Sequence, residues 1–91
     1  GASRMTRHQF VGELAEADND WITIAVKNRF SLGDRLELMT PTGNQAFILQ
    51  AMQDRRGQPI DVAPGDGHLV RIPRPAIDNL DFALLLRYLP D

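Results

Sequence analysis

The sequence predicts an all-β domain, a small antiparallel barrel, and three observations support this prediction. Apolar and polar residues alternate with a period of two through most of the chain, as in sheets with one buried and one solvent-facing side. Clusters of turn-forming residues separate the alternating segments at short intervals. The 91 residues suffice for one domain. Closure of its sheet into a barrel would remove exposed strand edges.

The predicted strands follow one another along the chain with turns between them. The clearest strand has Ile22, Ile24 and Val26 alternating with polar or small neighbours. Residues 45–52 are apolar without a clear period, but the β signals on both sides favour a strand there as well. The alternating segments are 10–14, 22–27, 35–38 and 69–72, and the predicted turns are 18–20, 41–44 and 54–57.

The last quarter of the chain changes character. Pro73 and Pro75 cannot donate to a strand ladder, so the preceding strand is expected to end there. Residues 78–88 could begin as one helical turn with Asp78 or Asn79 as its N-cap. The Leu84–Leu86 run is then either a short helix or a closing strand, and the sequence leaves both alternatives open.

Two Gly-Asp pairs each precede an alternating strand, and we interpret them as structural turns. The pairs are Gly33-Asp34 and Gly65-Asp66. Glycine tolerates the positive φ of a tight turn, and the aspartate carboxylate accepts a nearby backbone N–H. The repetition indicates either two related halves of a barrel or two independent turns that use the same residue pair.

Composition excludes several classes of site. The chain contains no cysteine, so it has no disulfide, no thiolate nucleophile and no iron–sulfur or zinc-thiolate centre. No apolar run approaches the roughly 18 residues of a membrane helix, and we expect a soluble, cytoplasmic domain. Residues 1–4 precede Met5 and resemble a cloning scar, which leaves residues 5–91 as the domain.

Several residues invite a catalytic interpretation, but their sequence context favours a structural role. Asp61, Asp66 and His68 lie close together in the sequence, and Ser31 would complete a triad on paper. However, the chain lacks the strained elbow or oxyanion-hole element that presents a nucleophilic serine. His8 is the one other histidine. We therefore expect no catalytic residues, no metal site and no cofactor in this chain.

The most suggestive polar group is the run from Lys27 to Phe30. Its two cations and one amide could hold a backbone phosphate while Phe30 stacks on a base. Alternatively, Phe30 closes the barrel end and Asn28 takes a left-handed turn conformation. The net charge of −2 and a pI near 5.6 argue against a dedicated nucleic-acid binder, although a local basic patch is compatible with that balance.

Several motif blocks, in order, resemble the C-terminal domain of the collagenase-like peptidase family U32. The resemblance spans residues 9–88. The bacterial members of this family include proteins associated with hydroxylation of tRNA uridine. It implies a β-barrel like domain two of elongation factor Tu, appended to a catalytic domain that carries the family's chemistry. The blocks are residues 10–13, 26–31, 33–34, 36–37, 39–41, Gly43 and 59–68.

The resemblance implies an accessory domain that positions a substrate, with tRNA or another RNA as the expected partner. The second hypothesis is a structural module that docks on the parent catalytic domain through an apolar patch near Trp21 or Leu84–Leu86. An autonomous protease is the weakest of the three hypotheses. The predicted RNA contacts are Lys27, Asn28, Arg29, Phe30, Arg35 and Arg71, where Arg35 and Arg71 are expected to emerge on one face.

Overall fold

The computed structural model describes residues 7–89, and within that range every regular element is a strand. The all-β antiparallel prediction is therefore confirmed. The strands are β1 His8–Ala17, β2 Trp21–Val26, β3 Phe30–Ser31, β4 Arg35–Thr40, β5 Gly43–Ile48, β6 Val62–Ala63, β7 Leu69–Pro73 and β8 Leu84–Tyr88. The proposed cloning scar lies outside the described residues.

Six strands form one curled antiparallel sheet in the order β5-β4-β8-β1-β2-β7, and β3 pairs separately with β6. The chain just after β5 reaches β7, where Gln53 and Arg71 exchange two backbone hydrogen bonds of 2.9 and 2.8 Å. The two ends of the sheet are thus linked by a bridge rather than by a full ladder. The antiparallel sheet is as predicted, whereas full closure into a barrel is not observed among the described residues.

The core occupies the inside of the curled sheet. The inward positions of β2 and β7 are buried at every second residue, as strand geometry requires when one face is covered. Residues from the loops and from the short β3–β6 pair close the remaining space. The fully buried large side chains are Val11, Ile22, Ile24, Val26, Phe30, Leu36, Leu38, Leu49, Val70, Ile72 and Leu85.

The central strand β1 pairs with β2 on one side and β8 on the other, and both ladders contain a register shift. Gly12 lies at the shift in the β8 ladder and is buried. A Cβ at this position would lie 2.5 Å from Ile24 Cγ2 and 2.8 Å from the Ala25 carbonyl oxygen. Glycine is therefore required here by the close approach of β2.

The structure settles the alternatives in the last quarter of the chain. β7 ends at Pro73, as the missing proline donor predicts. Instead of a helical turn at Asp78 or Asn79, a tight turn ends with Ala83 donating to the Leu80 carbonyl at 3.1 Å, and β8 follows as the closing strand. The strand expected over 45–52 ends at Ile48.

The two Gly-Asp pairs differ. Gly33 has a φ of 89°, and Asp34 accepts the Ser31 N–H at 2.8 Å. In the second turn Gly67, with a φ of 95°, carries the positive φ expected of Gly65. Asp66 is largely exposed and lies 3.9 Å from Lys27 Nζ. The positive φ expected of Gly65 is therefore taken by the later glycine of the same turn.

Candidate interaction sites

The turn between β2 and β3 carries the three polar residues predicted to contact RNA. Lys27, Asn28 and Arg29 are all exposed. The backbone N–H groups of Lys27 and Asn28 donate to the Val11 carbonyl, and the Asn28 side chain donates to the Phe10 carbonyl at 2.8 Å. These bonds fix the turn against β1 and leave Arg29 projecting from it. Asn28 does not adopt the left-handed conformation, which among non-glycine residues described belongs to Phe82.

Beside this turn is an open groove of about 410 Å³, which we call the barrel-end groove. It is lined by Gln9, Asn28, Arg29, Ser31 and Arg87. Arg87 Nη1 lies 3.5 Å from the Asp34 carboxylate, whose same oxygen accepts the Ser31 N–H. Two guanidinium groups therefore share the groove with one nearby carboxylate that is already engaged.

Two polar atoms of the residues that line this groove lack a hydrogen-bond partner among the described residues. They are Gln9 Oε1 and Arg87 Nε, and both are buried. Gln9 and Arg87 are direct partners in the β1–β8 ladder, so their side chains leave the sheet side by side. A buried polar atom without a hydrogen bond costs free energy. Such a pair is therefore unusual in a part of the fold that serves stability alone.

The other three predicted contacts are not brought to this site. Phe30 is completely buried, and because a ring without exposed surface cannot stack on a base, that predicted role is wrong. Arg35 lies on β4 and Arg71 on β7, with β8, β1 and β2 between them. Neither arginine lines the barrel-end groove, and that Arg35 and Arg71 share one contact face stays a prediction.

Arg71 belongs to a cluster at the β1–β2 turn. Its Nη2 lies 3.2 Å from Asp18 Oδ2, and its guanidinium lies 5.6 Å from the centroid of the Trp21 ring. Hydrogen bonds from the backbone N–H groups of Trp21 and Asp20, assisted by Arg71, hold the pKa of the Asp18 carboxyl below its ordinary value. An open cavity of about 720 Å³ adjoins this cluster, but Asp18 and Glu16 line it as well, so its charge is mixed.

Arg35 joins a polar cluster on the outer face of β1, β8 and β4. Its guanidinium lies 4.3 Å from the centroid of the Tyr88 ring. The Tyr88 hydroxyl donates to Glu37 at 3.1 Å, and His8 Nε2 lies 3.2 Å from the same carboxylate oxygen. Burial, together with the Glu37 carboxylate, raises the pKa of the Tyr88 phenol.

Next to this polar cluster, the same outer face carries apolar side chains that we call the outer stripe. Its members are Phe10, Met39, Phe82, Leu84 and Leu86. The β-ladders pair Phe10 with Leu86 and Leu84 with Met39, so these four share the outer face. Phe82 lies in the turn before β8, is 86% exposed and has a φ of 59°. Neither its exposure nor its backbone conformation favours the stability of this chain.

Of the residues considered for catalysis, Ser31 lines the barrel-end groove, and Asp66 lies 3.9 Å from Lys27 Nζ. His68 Nδ1 lies 3.1 Å from the Gly65 carbonyl oxygen, and Asp61 is exposed. Across residues 7–89, no three histidine or acidic side chains gather as a metal site would require. The same residues contain no helix long and apolar enough to cross a membrane.

The sequence interpretation missed Gln9, Ser31 and Arg87 of the groove. Arg87 lies in phase with the buried Leu85, but the run of three leucines hides that phase in the sequence. Gln9 has no such signal, since the register shift in β1 hides its phase. For the outer stripe, the apolar patch expected near Leu84–Leu86 indicated the right strand but not Phe82.

Comparison with known proteins places these features in a family. Residues 6–87 match the peptidase family U32 C-terminal domain. The chain is 49% identical over 88 residues to tRNA hydroxylation protein P of Escherichia coli, and 45% identical over 91 residues to the protein of the same name from Haemophilus influenzae. These matches cover 96% and 98% of this chain but 19% and 20% of the relatives. The chain thus spans about a fifth of their length.

Two solved structures share the fold. Both are crystal structures of the C-terminal domain of a proposed U32 peptidase from Geobacillus thermoleovorans, one of them a selenomethionine variant. The variant has a TM-score of 0.75 at 20% identity, covering 85% of this chain and 96% of that domain. The second has a TM-score of 0.74 at 21% identity, with 89% and 92% covered. This chain belongs to the peptidase family U32, in which it corresponds to the C-terminal domain.

Proposed function

We propose that this chain is a non-catalytic accessory domain that docks, through its outer stripe, on the catalytic portion of a longer U32 protein. The observation that carries this proposal is the cluster of exposed and partly exposed apolar side chains on β1, β8 and β4, with Phe82 at its end. Contiguous apolar surface on an otherwise ordinary domain marks an interaction site.

The surroundings of the stripe fit a protein interface. Aromatic residues and arginine are enriched where proteins meet, and a polar rim surrounds the apolar centre. Here Tyr88, Arg35 and His8 adjoin the stripe on the same strands, tied together by Glu37. A rim already held by internal contacts loses little conformational entropy on docking.

The length of the relatives argues for the occupant of this surface. The matched region is a fifth of each tRNA hydroxylation protein P, so four fifths of such a protein remain to supply a neighbouring surface. A domain joined covalently to its partner docks at a high effective concentration. A modest apolar patch is then sufficient to hold it.

The test uses the Escherichia coli relative truncated before its matched region, with this chain added in trans. We expect the two to co-elute in size-exclusion chromatography, and Phe82→Ser together with Leu84→Ser to abolish co-elution. Leu69→Ser is the matched control, because Leu69 is a partly exposed leucine on β7, away from the stripe. Unchanged co-elution of the double variant, or equal loss with the control, would contradict docking through this surface.

A second candidate function is contact with RNA through the β2–β3 turn. The observation that favours it is the convergence of Arg29 and Arg87 on one groove beside the exposed Lys27 and Asn28. Local phosphate contacts, rather than net charge, determine such binding. The relatives' name refers to tRNA, which is the substrate that an accessory domain of this kind would help to position.

Filter binding of this chain to tRNA at low salt tests the second candidate. We expect Arg29→Ala to weaken binding and to flatten its salt dependence, because one phosphate contact is lost. Arg55→Ala is the control, since Arg55 is an exposed arginine outside the barrel-end groove. Absence of binding, or equal effects of the two variants, would overturn this candidate.

A further inference from the structure

We propose that the edge of β5 pairs with β5 of a second copy of this chain, in antiparallel register about a twofold axis at Ala46. The partner is therefore a second copy, and backbone hydrogen bonds make the contact. This pairing goes beyond both functions proposed above, because it uses neither the outer stripe nor the barrel-end groove.

The six-stranded sheet has two edge strands, β5 and β7, which differ in how they are protected. On β7, the backbone of Arg71 exchanges two hydrogen bonds with Gln53, and Pro73 ends the strand with no N–H to offer. β5 is six residues long, contains no proline and no charged side chain, and pairs with β4 without a register shift. It thus lacks the usual devices that keep an edge from recruiting another strand.

Two observations show which residues of β5 direct their backbone groups toward β4. Gly43 pairs with Thr40 across the two-residue turn that closes the hairpin. Beyond the other end of β5, Leu49 donates to the carbonyl of Asp34, the residue before β4, at 3.0 Å. Because the bonding direction alternates along a strand, the odd-numbered residues of β5 bond to β4 and the even-numbered residues point away from it.

The outward-pointing residues are Asn44, Ala46 and Ile48, and all three are exposed. Among the described residues, their N–H and carbonyl groups have one recorded hydrogen bond. Gln45 Nε2 donates it to the Ala46 carbonyl at 3.4 Å, which is longer than a typical N–H···O bond. The edge of β5 therefore offers donors and acceptors at the spacing of an extended strand.

These outward groups are arranged symmetrically about Ala46. In an antiparallel pair centred there, Ala46 meets Ala46 of the second copy, and Asn44 meets Ile48 of the second copy. Each such pair exchanges two N–H···O bonds, so the same three residues of each copy satisfy one another. A twofold interface of this kind uses one patch on both copies, and the edge of β5 is complementary to itself.

Charge also favours a second copy as the occupant. In a twofold pairing, a charged side chain on the strand approaches like charges of the other copy and repels them. Residues 38–53 contain no acidic or basic residue, whereas charged residues make up 24% of the whole chain. Self-pairing of β5 therefore brings no like charges together along the shared strands.

A pocket of about 260 Å³ lies where the second copy would place its β4–β5 turn. In the register centred on Ala46, Gln50 faces Thr42 of the second copy, so Pro41 of that copy would lie beside the pocket. Pro41 is exposed in this chain, and burial of its ring against apolar neighbours would add to the backbone contact. The pocket is lined by Phe47, Ile48, Leu49, Gln50, Pro73, Arg74 and Pro75.

The test is sedimentation equilibrium of the chain over a range of concentrations. A strand pair with few further contacts lies at the small end of interface sizes. We therefore expect the apparent mass to rise from 10.2 kDa toward twice that value as the concentration increases. Ala46→Lys should abolish the rise, because two like charges then face each other across the axis. Ala15→Lys is the matched control, since Ala15 is an exposed alanine on β1, which β8 and β4 separate from β5.

Charge complementation tests the register. Ala46→Lys and Ala46→Glu should each stay monomeric, and an equimolar mixture of the two should dimerise again, because opposite charges then face each other. Thermal midpoints show whether both variants are folded. Hydrogen exchange of the wild-type chain needs no variant: the amides of Asn44, Ala46 and Ile48 should gain protection as the concentration rises.

A wild-type mass that stays at 10.2 kDa at every concentration would overturn the proposal. Dimerisation that Ala46→Lys leaves unchanged, or that Ala15→Lys abolishes equally, would overturn the β5 edge as the interface. A mixture of the two Ala46 variants that stays monomeric would overturn the axis at Ala46. Protection of the three amides that appears only when the truncated Escherichia coli relative is added would assign the edge to that protein and overturn self-pairing.

Discussion

The strands on the two sides of β1 differ in which side chains they turn toward the core. On one side, β2 and β7 bury Ile22, Ile24 and Ile72 inward and turn Thr23 outward, as a sheet with one wet face should. On the other side, β8 and the start of β1 expose apolar residues on the outer face and direct Gln9 and Arg87 inward. At this end, the usual pattern of burial is inverted.

The difference separates residues that build the core from residues to which we assign a role in docking or RNA contact. Sequences that specify a fold are consistent across levels, and violations concentrate at functional sites. β2 and β7 contribute only aliphatic side chains to the inner face, whereas the end of β8 combines exposed apolar residues with buried polar atoms that lack a partner among the described residues. Substitutions should therefore have unlike effects in the two regions.

The largest contrast is expected between two aliphatic truncations. Ile24→Ala should lower the free energy of unfolding by about 2–5 kcal/mol, because Ile24 is completely buried. Leu84→Ala should change it by no more than about 0.5 kcal/mol, because Leu84 is exposed. Urea unfolding of the isolated chain measures both. A cost at Leu84 comparable with that at Ile24 would mean that the outer stripe serves stability.

A smaller loss is expected where β1 approaches β2. Gly12→Ala should cost about 1–3 kcal/mol, since the new methyl group meets the Ala25 carbonyl oxygen and Ile24. Gly43→Ala is the control, because no atom lies within 4 Å of its Cβ position and its φ is not positive. Equal unfolding midpoints for the two variants would disprove the close approach.

The two Gly-Asp turns should respond unequally. Gly33→Ala should destabilise the chain by roughly 1 kcal/mol, because Gly33 has a positive φ. Gly65→Ala should fall within about 0.5 kcal/mol of wild type, since its Cβ would meet open space without a positive φ. Thermal melts of the two variants, compared under one condition, check this; a larger loss at Gly65 would reverse the assignment.

The smallest expected change is a gain in stability. Phe82→Gly should raise the free energy of unfolding by about 0.5 kcal/mol, because glycine relieves the left-handed conformation and little packing is lost. The same variant should weaken co-elution with the truncated Escherichia coli relative. A destabilisation in urea unfolding would show instead that the Phe82 ring packs against this chain.

Alternation was sufficient to predict the strands that build the core, because burial of one face imposes a period of two on segments such as Ile22–Val26. It could not predict β3 and β6, since two-residue strands are too short to display a period. The basic turn at Lys27–Arg29 was visible in the sequence as a local run of polar residues. Its partner Arg87 comes from a distant strand, so only the register of β8 could reveal the groove.

Hydroxyl-radical footprinting of Phe82 and Met39 tests docking through the outer stripe most directly. The measurement compares the isolated chain with a chimera in which this chain replaces the matched region of the Escherichia coli relative. The account predicts strong protection of Phe82 and Met39 in the chimera and unchanged oxidation of Trp21, which lies on β2 outside the stripe. Equal oxidation of Phe82 and Met39 in both proteins would contradict the proposal that this face meets the rest of the protein.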